Sequence, residues 1–323
     1  MGKRTSRRGS QSVWHRRRAA RMVPRVAGWA NHGKVLPEAL LGYKVGMTSI
    51  LYTDDADSPT KGQDIVVPVT VIEVPPLFVY SITLLGNTPL GLKVLTEVTS
   101  ATSPKNANRT ITPSKKSDLS KLDKFAAQAA DVRIKMISIP EKTGLGKKTP
   151  EIFEAPIGGT DAKAKIEYAK GILGKELTIS DIISEGDYLD AIAVTTGKGW
   201  QGVVKRYGVA LNTHKSTKAR RHGGSIGPET QAKVMYTIPR AGQMGFHRRV
   251  DKAKRVMMIS QDAKQILPVD GFAHYGLVKS PYILIDGSVP GPKKRAILLR
   301  KSVLARATKK PVIKEIGKES KQG

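Results

Sequence analysis

Between Asp190 and Asp251 the chain carries one carboxylate, Glu229, in the stretch RRHGGSIGPETQAKV (residues 220–234), while lysine and arginine recur throughout. A lone acid on a glycine-rich segment has two chemical meanings. It is a candidate general base, or it is an isolated polar contact on a length of chain that meets something polyanionic. Base catalysis needs a partner that raises the carboxyl pKa or orients a reacting group. The cations around Glu229 act the other way, stabilising the carboxylate and making it a weak base near neutrality. No grouping of serine, histidine and carboxylate lies beside it.

Other motifs carry candidate chemistry. GKGWQG, residues 197–202, fits the G-x-G-x-x-G pattern of a dinucleotide site and follows a strand pattern. That site also needs a following helix and a ribose-binding acid about 20 residues onward. The next residues, VVKRYGV, are β-branched and aromatic, and the first later acid is Glu229. The glycines are therefore expected to permit a bend and a close approach of backbone to phosphates. TGLGKKT, residues 143–149, would be a phosphate loop only with glycine at position 141, which is Glu141, so it reads as a basic turn. The histidines (His15, His32, His214, His222, His247 and His274) are scattered, and His214 and His222 have no neighbouring carboxylate or thiol, so no metal site is expected. Asp54, Asp55 and Asp57 in YTDDADSP suit a cation or a polar hairpin turn equally well. An enzyme is not expected.

The elements that must position these residues follow from charge and periodicity. Among 323 residues, 55 are Lys or Arg and 27 are Asp or Glu, a net charge of +28. Such a charge repels itself in a compact state, and a polyanion is the natural compensation, nucleic acid before an anionic membrane. The absence of cysteine excludes disulfides, thiolate zinc sites and cysteine nucleophiles. The run IVVPVTVIEVPPLFVYSITLL contains Glu73, Pro68, Pro75 and Pro76, so it reads as successive strands rather than a membrane span. Residues 1–34 hold ten Lys or Arg and no acid, and Trp14 and His15 interleave with the arginines. That mixture suits insertion into folded RNA. Residues 151–190 hold nine acids and read as an ordinary folded surface, whereas 197–260 is basic again.

KVGMTSILY, IVVPVTVIEV, RIKMISIP, YLDAIAVTT, KRVMMIS and YILIDGSV are short, β-branched and punctuated by Gly and Pro, which predicts a mainly β, barrel-like antiparallel sheet. SDLSKLDKFAAQAA predicts a helix capped by Ser117 or Asp118, with Leu119, Leu122 and Phe125 on one face. TDAKAKIEYAKGILG predicts another, capped by Thr160 or Asp161 and stopped by Gly174. Together these helices suggest an α+β insert. Residues 208–249 show no sustained period, and with their charge they read as an extended arm.

Four segments in order, LGYKVGMTSIL, VTTGKGWQGVVKRYGV, PRAGQMGFHRR and GSVPGPKKRAILLR, resemble the universal large-subunit ribosomal protein L-three family in its archaeal or eukaryotic form. The resemblance runs from about Arg7 to Arg300. It implies a translation-protein-like β-barrel with an α+β insert and long basic rRNA-binding extensions. It implies a cytoplasmic structural constituent of the large subunit that supports early assembly and sends an arm toward the peptidyl transferase centre.

The expected boundaries are a basic N-terminal extension (1–40), barrel parts at 41–100, 178–197 and 255–300, the insert at 101–177, the arm at 198–254 and a basic tail at 301–323. The partners implied are large-subunit rRNA and neighbouring ribosomal proteins, with no membrane and no small-molecule substrate. No cofactor is expected, structural Mg2+ ions of the rRNA aside. Carried onto this sequence, the arm's base would place Lys198, Trp200, Gln201, Lys205 and Arg206 against rRNA. Its descending limb would place His214, Lys215, Lys218, Arg220 and Arg221, and its returning limb Arg240, Gln243, His247, Arg248 and Arg249. Arg7, Arg8, Trp14, His15, Arg16, Arg17 and Arg18 would thread a second path, and Lys293, Lys294 and Arg295 would bind phosphates near the barrel. Gly227 and Glu229 would mark the arm tip. There the family pattern G-x-W-x-P-x-x-V becomes GPETQAKV, with Glu229 in the Trp place and Gln231 in the Pro place. What the family implies about that ring does not carry over to this chain.

Overall fold

The computed structural model describes residues 16–26, 28–213, 215, 220–236, 238–268, 271–304 and 309–318. The described strands are, in chain order, β1 Ala39–Thr53, β2 Asp64–Glu73, β3 Leu77–Thr88, β4 Gly91–Thr99, β5 Asp131–Ser138, β6 Ile152–Pro156, β7 Glu176–Leu177, β8 Tyr188–Val194, β9 Gly197–Gln201, β10 Gly242–Gly245, β11 Arg248–Ser260, β12 Tyr282–Asp286, β13 Ala296–Lys301 and β14 Val312–Ile316. The α-helices are α1 Ser120–Phe125, α2 Ala162–Ile172 and α3 Val203–Tyr207. The chain is thus mainly β with some helix. It divides into two compact units: Met22–Ala193 with Arg249–Gly323, and Met1–Arg21 with Val194–Arg248.

The larger unit is built around β1. Ala39, Leu40 and Leu41 are all fully buried, so the start of this strand reads as an unbroken apolar run rather than an alternation. From Ala39 to Tyr43 it pairs antiparallel with β13; from Tyr43 to Thr53 it pairs with β2; and Ile50 to Thr53 also pair with β14. The sheet order is β13-β8-β11-β12-β2-β1-β14, with the further β13–β1 pairing. A second sheet runs β4-β3-β5-β6, with β7 also on β3. The helix α2 packs there because Ile166, Ala169 and Ile172 fall on one face and join the core of Ile134 and Met136. Asp161 caps it, accepting from the Lys163 amide at 3.0 Å, and Gly174 follows its end at φ +77°. The other predicted helix is shorter than expected. It covers only Ser120–Phe125 and a further 3-10 turn at Ala126–Gln128, and Leu119 is 42% exposed while Leu122 is buried.

Buried acids are saturated by partners of this unit. Glu73 accepts from the amides of Lys279 and Ser280, both at 2.7 Å, from the Gly144 amide at 3.3 Å and from the Tyr275 hydroxyl. Burial first, and then the Glu73 charge, push the Tyr275 phenol well above its ordinary value. Asp190 accepts from Arg300 Nε at 3.1 Å and Nη2 at 2.9 Å, from Ser302 Oγ at 3.0 Å and from the Ala253 amide at 2.9 Å. These carboxylates tie distant strands and loops together.

Two stretches expected as extensions are partly structural. Val23, Val26, Trp29 and Val35 pack against the core, and His32 bridges Glu38 Oε2 (2.7 Å from Nδ1) and the Ser302 carbonyl (3.0 Å from Nε2). Residues 312–316, inside the stretch read as a tail, form β14 on the edge of β1. The YTDDADSP acids form a turn. Asp54 accepts from Thr60 Oγ1 at 2.6 Å, Ser58 Oγ at 2.7 Å and the Ala56 amide at 3.0 Å. Asp55 takes a bidentate pair from Arg255, both bonds 2.6 Å, and Asp57 pairs with Lys61 at 2.7 Å.

Candidate nucleic-acid interface

The smaller unit holds most of the residues expected to meet RNA, and it is organised by glycine. The strands β9 and β10 pair antiparallel with Gln201 opposite Gly242, Trp200 opposite Gln243 and Gly197 opposite Gly245. Gly245 sits at φ +71°, where a Cβ would lie 2.1 Å from the Thr196 carbonyl oxygen. No other residue fits that approach. The expectation that GKGWQG lacks a following helix is corrected: α3 begins after Gly202, and Gly208 ends it in the left-handed region at φ 72°. Val203 is buried at 9% exposure and anchors this helix against its β-branched propensity. The motif still has no parallel βαβ unit around it, because β9 belongs to a two-stranded antiparallel sheet.

The predicted contacts separate into two chemical groups. Some are committed to the protein's own backbone. Arg206 donates from Nε to the Gln243 carbonyl at 3.0 Å and from Nη1 to the Arg240 carbonyl at 2.8 Å. Its guanidinium lies 5.0 Å from the Tyr207 ring centroid, over which Arg16 also lies, at 4.5 Å. A Cβ on Gly242 would come within 2.8 Å of Arg206 Nη1, so glycine there admits the guanidinium. His247 is 9% exposed and donates from Nδ1 to the Arg17 carbonyl at 2.9 Å. The Thr195 amide donates to the His247 carbonyl at 3.0 Å, and the Ala19 amide to the Phe246 carbonyl at 2.8 Å. Together these bonds pin the Arg16–Ala19 segment within this unit. Gln201 donates to the Lys198 carbonyl at 2.6 Å, and Gln243 to the carbonyls of Met244 and Gly245 at 3.1 Å each.

Others present charge or ring to solvent. Arg17, Arg18, Lys198, Lys205, Lys215, Arg220, Arg221, Arg240, Arg248 and Arg249 are exposed, and Trp200 is 77% exposed. Among the described residues, Gly208 to Ala241 contains no strand and only one helical turn, the 3-10 turn Glu229–Gln231. Glu229 is exposed there and, among the described residues, makes no ion pair with Arg221 or Lys233. Gly227 lies two residues before it at φ +129°.

In the larger unit, Lys293 is half-buried, Lys294 exposed, and Arg295 half-buried with its pKa held below the ordinary value by burial. The Lys294 amide donates to the Lys44 carbonyl at 2.7 Å, fixing this PGPKKR turn on β1. Arg7, Arg8, Trp14, His15, His214 and Lys218 lie outside the described residues.

Sequence reasoning missed the internal work of Arg206, Tyr207 and Gly242. It also missed Tyr236, which is 81% exposed. A surplus of arginine near a ring gave no sign of which guanidinium would turn inward.

Comparison with known proteins bears on this arrangement. A family model described as Ribosomal protein L3 matches residues 1–323. The chain is 41% identical over 329 residues to large ribosomal subunit protein uL3 of Methanothermobacter thermautotrophicus, covering 98% of each chain. It is 42% identical over 328 residues to the uL3 of Methanobrevibacter smithii, again 98% of each. It is 43% identical over 306 residues to that of Pyrobaculum arsenaticum, covering 91% of this chain and 90% of the relative.

Proposed function

This chain belongs to the ribosomal protein L3 family, and we propose from that premise that its exposed cations bind large-subunit rRNA. As a member it is a structural protein of the large ribosomal subunit in the cytoplasm, not an enzyme. The observation that carries the finer reading is the division of labour in the smaller unit. Arg206 and His247 hold the backbone, while Lys198, Lys205, Arg220 and Arg221 face solvent with Glu229 as the one acid between Asp190 and Asp251. Charge displayed on a braced scaffold suits phosphates fixed in a folded RNA.

In this reading the pairings around β1 close a six-stranded barrel that anchors the chain. The basic N-terminal segment and the arm from 198 to 254 reach into rRNA, the arm toward the peptidyl transferase centre, and the protein acts early in subunit assembly. Contacts with neighbouring ribosomal proteins complete its surroundings, and any metal is Mg2+ belonging to the RNA.

The test is salt dependence. Neutralising about ten phosphates gives a slope of log affinity against log salt of roughly −7 to −9. Full-length protein and large-subunit rRNA are titrated from low to high salt by filter binding, and a flat response contradicts the proposal. Removing residues 211–236, which leaves β9, α3 and β10 in place, yields poorly assembled or inactive subunits on reconstitution. Normal peptide-bond formation after that deletion takes away the arm's role.

A further inference from the structure

Within the smaller unit a cleft of about 680 Å³ is walled on one side by Arg16, Arg17 and Arg18 and on another by Val234, Met235, Tyr236, Ile238, Arg240 and Gln243. Three rings reach it: Trp200, Tyr207 and Tyr236. Tyr207 is already covered by the guanidinium groups of Arg16 and Arg206. Trp200 and Tyr236 are 77% and 81% exposed and stand ready for a further flat partner. Val234, Met235 and Ile238 give the lining an apolar part. The lining residues include no carboxylate, and Arg206 is occupied by carbonyls, which leaves Arg17, Arg18 and Arg240 exposed at the rim with no acid beside them in the lining.

We infer that this cleft accepts one unpaired RNA nucleotide swung out of its helical stack. The base lies against Trp200 and Tyr236, and its flanking phosphates meet Arg17, Arg18 and Arg240. This deepens the rRNA-binding reading and rests on it. The chemistry selects the occupant. A flat, apolar-faced heterocycle flanked by negative charge matches exposed rings beside unneutralised arginines. A base inside a duplex has both faces covered by its neighbours and cannot use the rings. An acidic peptide would satisfy the arginines and leave the rings bare. The volume falls within the roughly 300–1,000 Å³ of sites that take small organic ligands, so one nucleotide fits. The walls are fixed beforehand: the His247–Arg17 and Ala19–Phe246 bonds set one, and Arg206 braces the other through Gln243 and Arg240.

The experiment compares four RNAs on the full-length protein: large-subunit rRNA, a hairpin with one bulged adenosine, the same hairpin with an abasic residue at the bulge, and a fully paired hairpin. The bulged hairpin is expected to bind roughly tenfold or more tightly than the abasic and paired ones, from stacking alone. That advantage disappears in Trp200→Ala and in Tyr236→Ala and survives in Trp200→Phe. Circular dichroism of each variant checks that the fold is kept. Equal affinity for all three hairpins, with large-subunit rRNA still bound tightly, overturns the nucleotide cleft and leaves the rRNA reading standing. Failure of the wild type to bind large-subunit rRNA overturns the rRNA reading, and this inference with it. Displacement of the bulged hairpin by a glutamate-rich peptide at equal concentration assigns the cleft to protein and refutes it.

Discussion

Lys205 and Arg206 are adjacent cations on α3, and replacing each by alanine should give opposite results. Lys205 is exposed. If it neutralises one phosphate, Lys205→Ala lowers the magnitude of the salt slope by about 0.7 to 0.9 and leaves the fold alone. Arg206 donates to the carbonyls of Gln243 and Arg240 at 3.0 and 2.8 Å and lies 5.0 Å from the Tyr207 centroid. A hydrogen bond from a charged donor contributes about 1.5–3 kcal/mol, less where water reaches it. An exposed cation–π contact adds about 0.5–1 kcal/mol. With one bond half-buried and the other at the surface, Arg206→Ala is expected to cost about 2–4 kcal/mol of local stability. Hydrogen exchange at the amides of Arg206 and Gly208, which bond to Gly202 and Val204, reads that loss as faster exchange by a factor of roughly 30 to 1,000. RNA affinity should fall at every salt concentration with the slope unchanged. A slope reduced by about 0.9 with normal amide protection would refute the reasoning, because Arg206 would then be a phosphate ligand and its internal bonds incidental.

Gly245→Ala places a Cβ 2.1 Å from the Thr196 carbonyl in left-handed backbone, so β9 and β10 should separate. Limited proteolysis near Gln201 and Gly242 should quicken by an order of magnitude or more, since the left-handed strain alone costs about 1–2 kcal/mol. Glu73→Ala strands the Lys279 and Ser280 amides, and at about 1–3 kcal/mol per unsatisfied buried donor the urea-unfolding free energy should drop by about 2–6 kcal/mol. The hydrogen bonds and charge of Arg255 hold the Asp55 carboxyl below its ordinary pKa. Its stabilisation is therefore complete above the unfolded value near 3.9 and is lost as pH falls through the folded value. The gap in thermal midpoint between wild type and Asp55→Asn should be present at pH 6 and close below about pH 4. Glu229→Gln keeps an acceptor on an exposed turn, so subunit reconstitution should be unaffected, and a severe loss of peptide-bond formation would restore a chemical role to that acid.

The helix α2 was legible because its signals are local: Asp161 before it, Gly174 after it and apolar residues on one face between them. The main strands were legible for the same reason, as β-branched runs between glycines and prolines. The ends of β1 and β13 were not. Ala39–Leu41 is apolar at every position because both faces are covered, so it offers no alternation to recognise. Ala296 follows three consecutive cations, and Ala296–Leu299 is buried at every position, so it too offers no alternation. The strand β14 is five residues with two charges, and only its pairing with Ile50–Thr53 reveals it. In the smaller unit, the glycine pattern was visible, but what each glycine admits was not. Gly242 admits Arg206 across 36 positions, and Gly245 admits the Thr196 carbonyl across 49, distances over which sequence alone gives no register.

The pairing of Ala39 with Arg300 sets a schedule for synthesis. Those residues are 261 positions apart in the chain, so β1 leaves a ribosome long before the strand that completes it. At about 5–20 residues per second the interval is roughly 13 to 50 s. Throughout it, the hydrogen-bonding edge of Ala39–Tyr43 is bare, and the ten cations of the first 34 residues are already outside. A nascent chain in that condition is prone to pair its open strand with another chain or to settle on whatever polyanion is nearest. Covering that edge and those cations as they emerge would remove both hazards, a consequence that follows from the strand order itself.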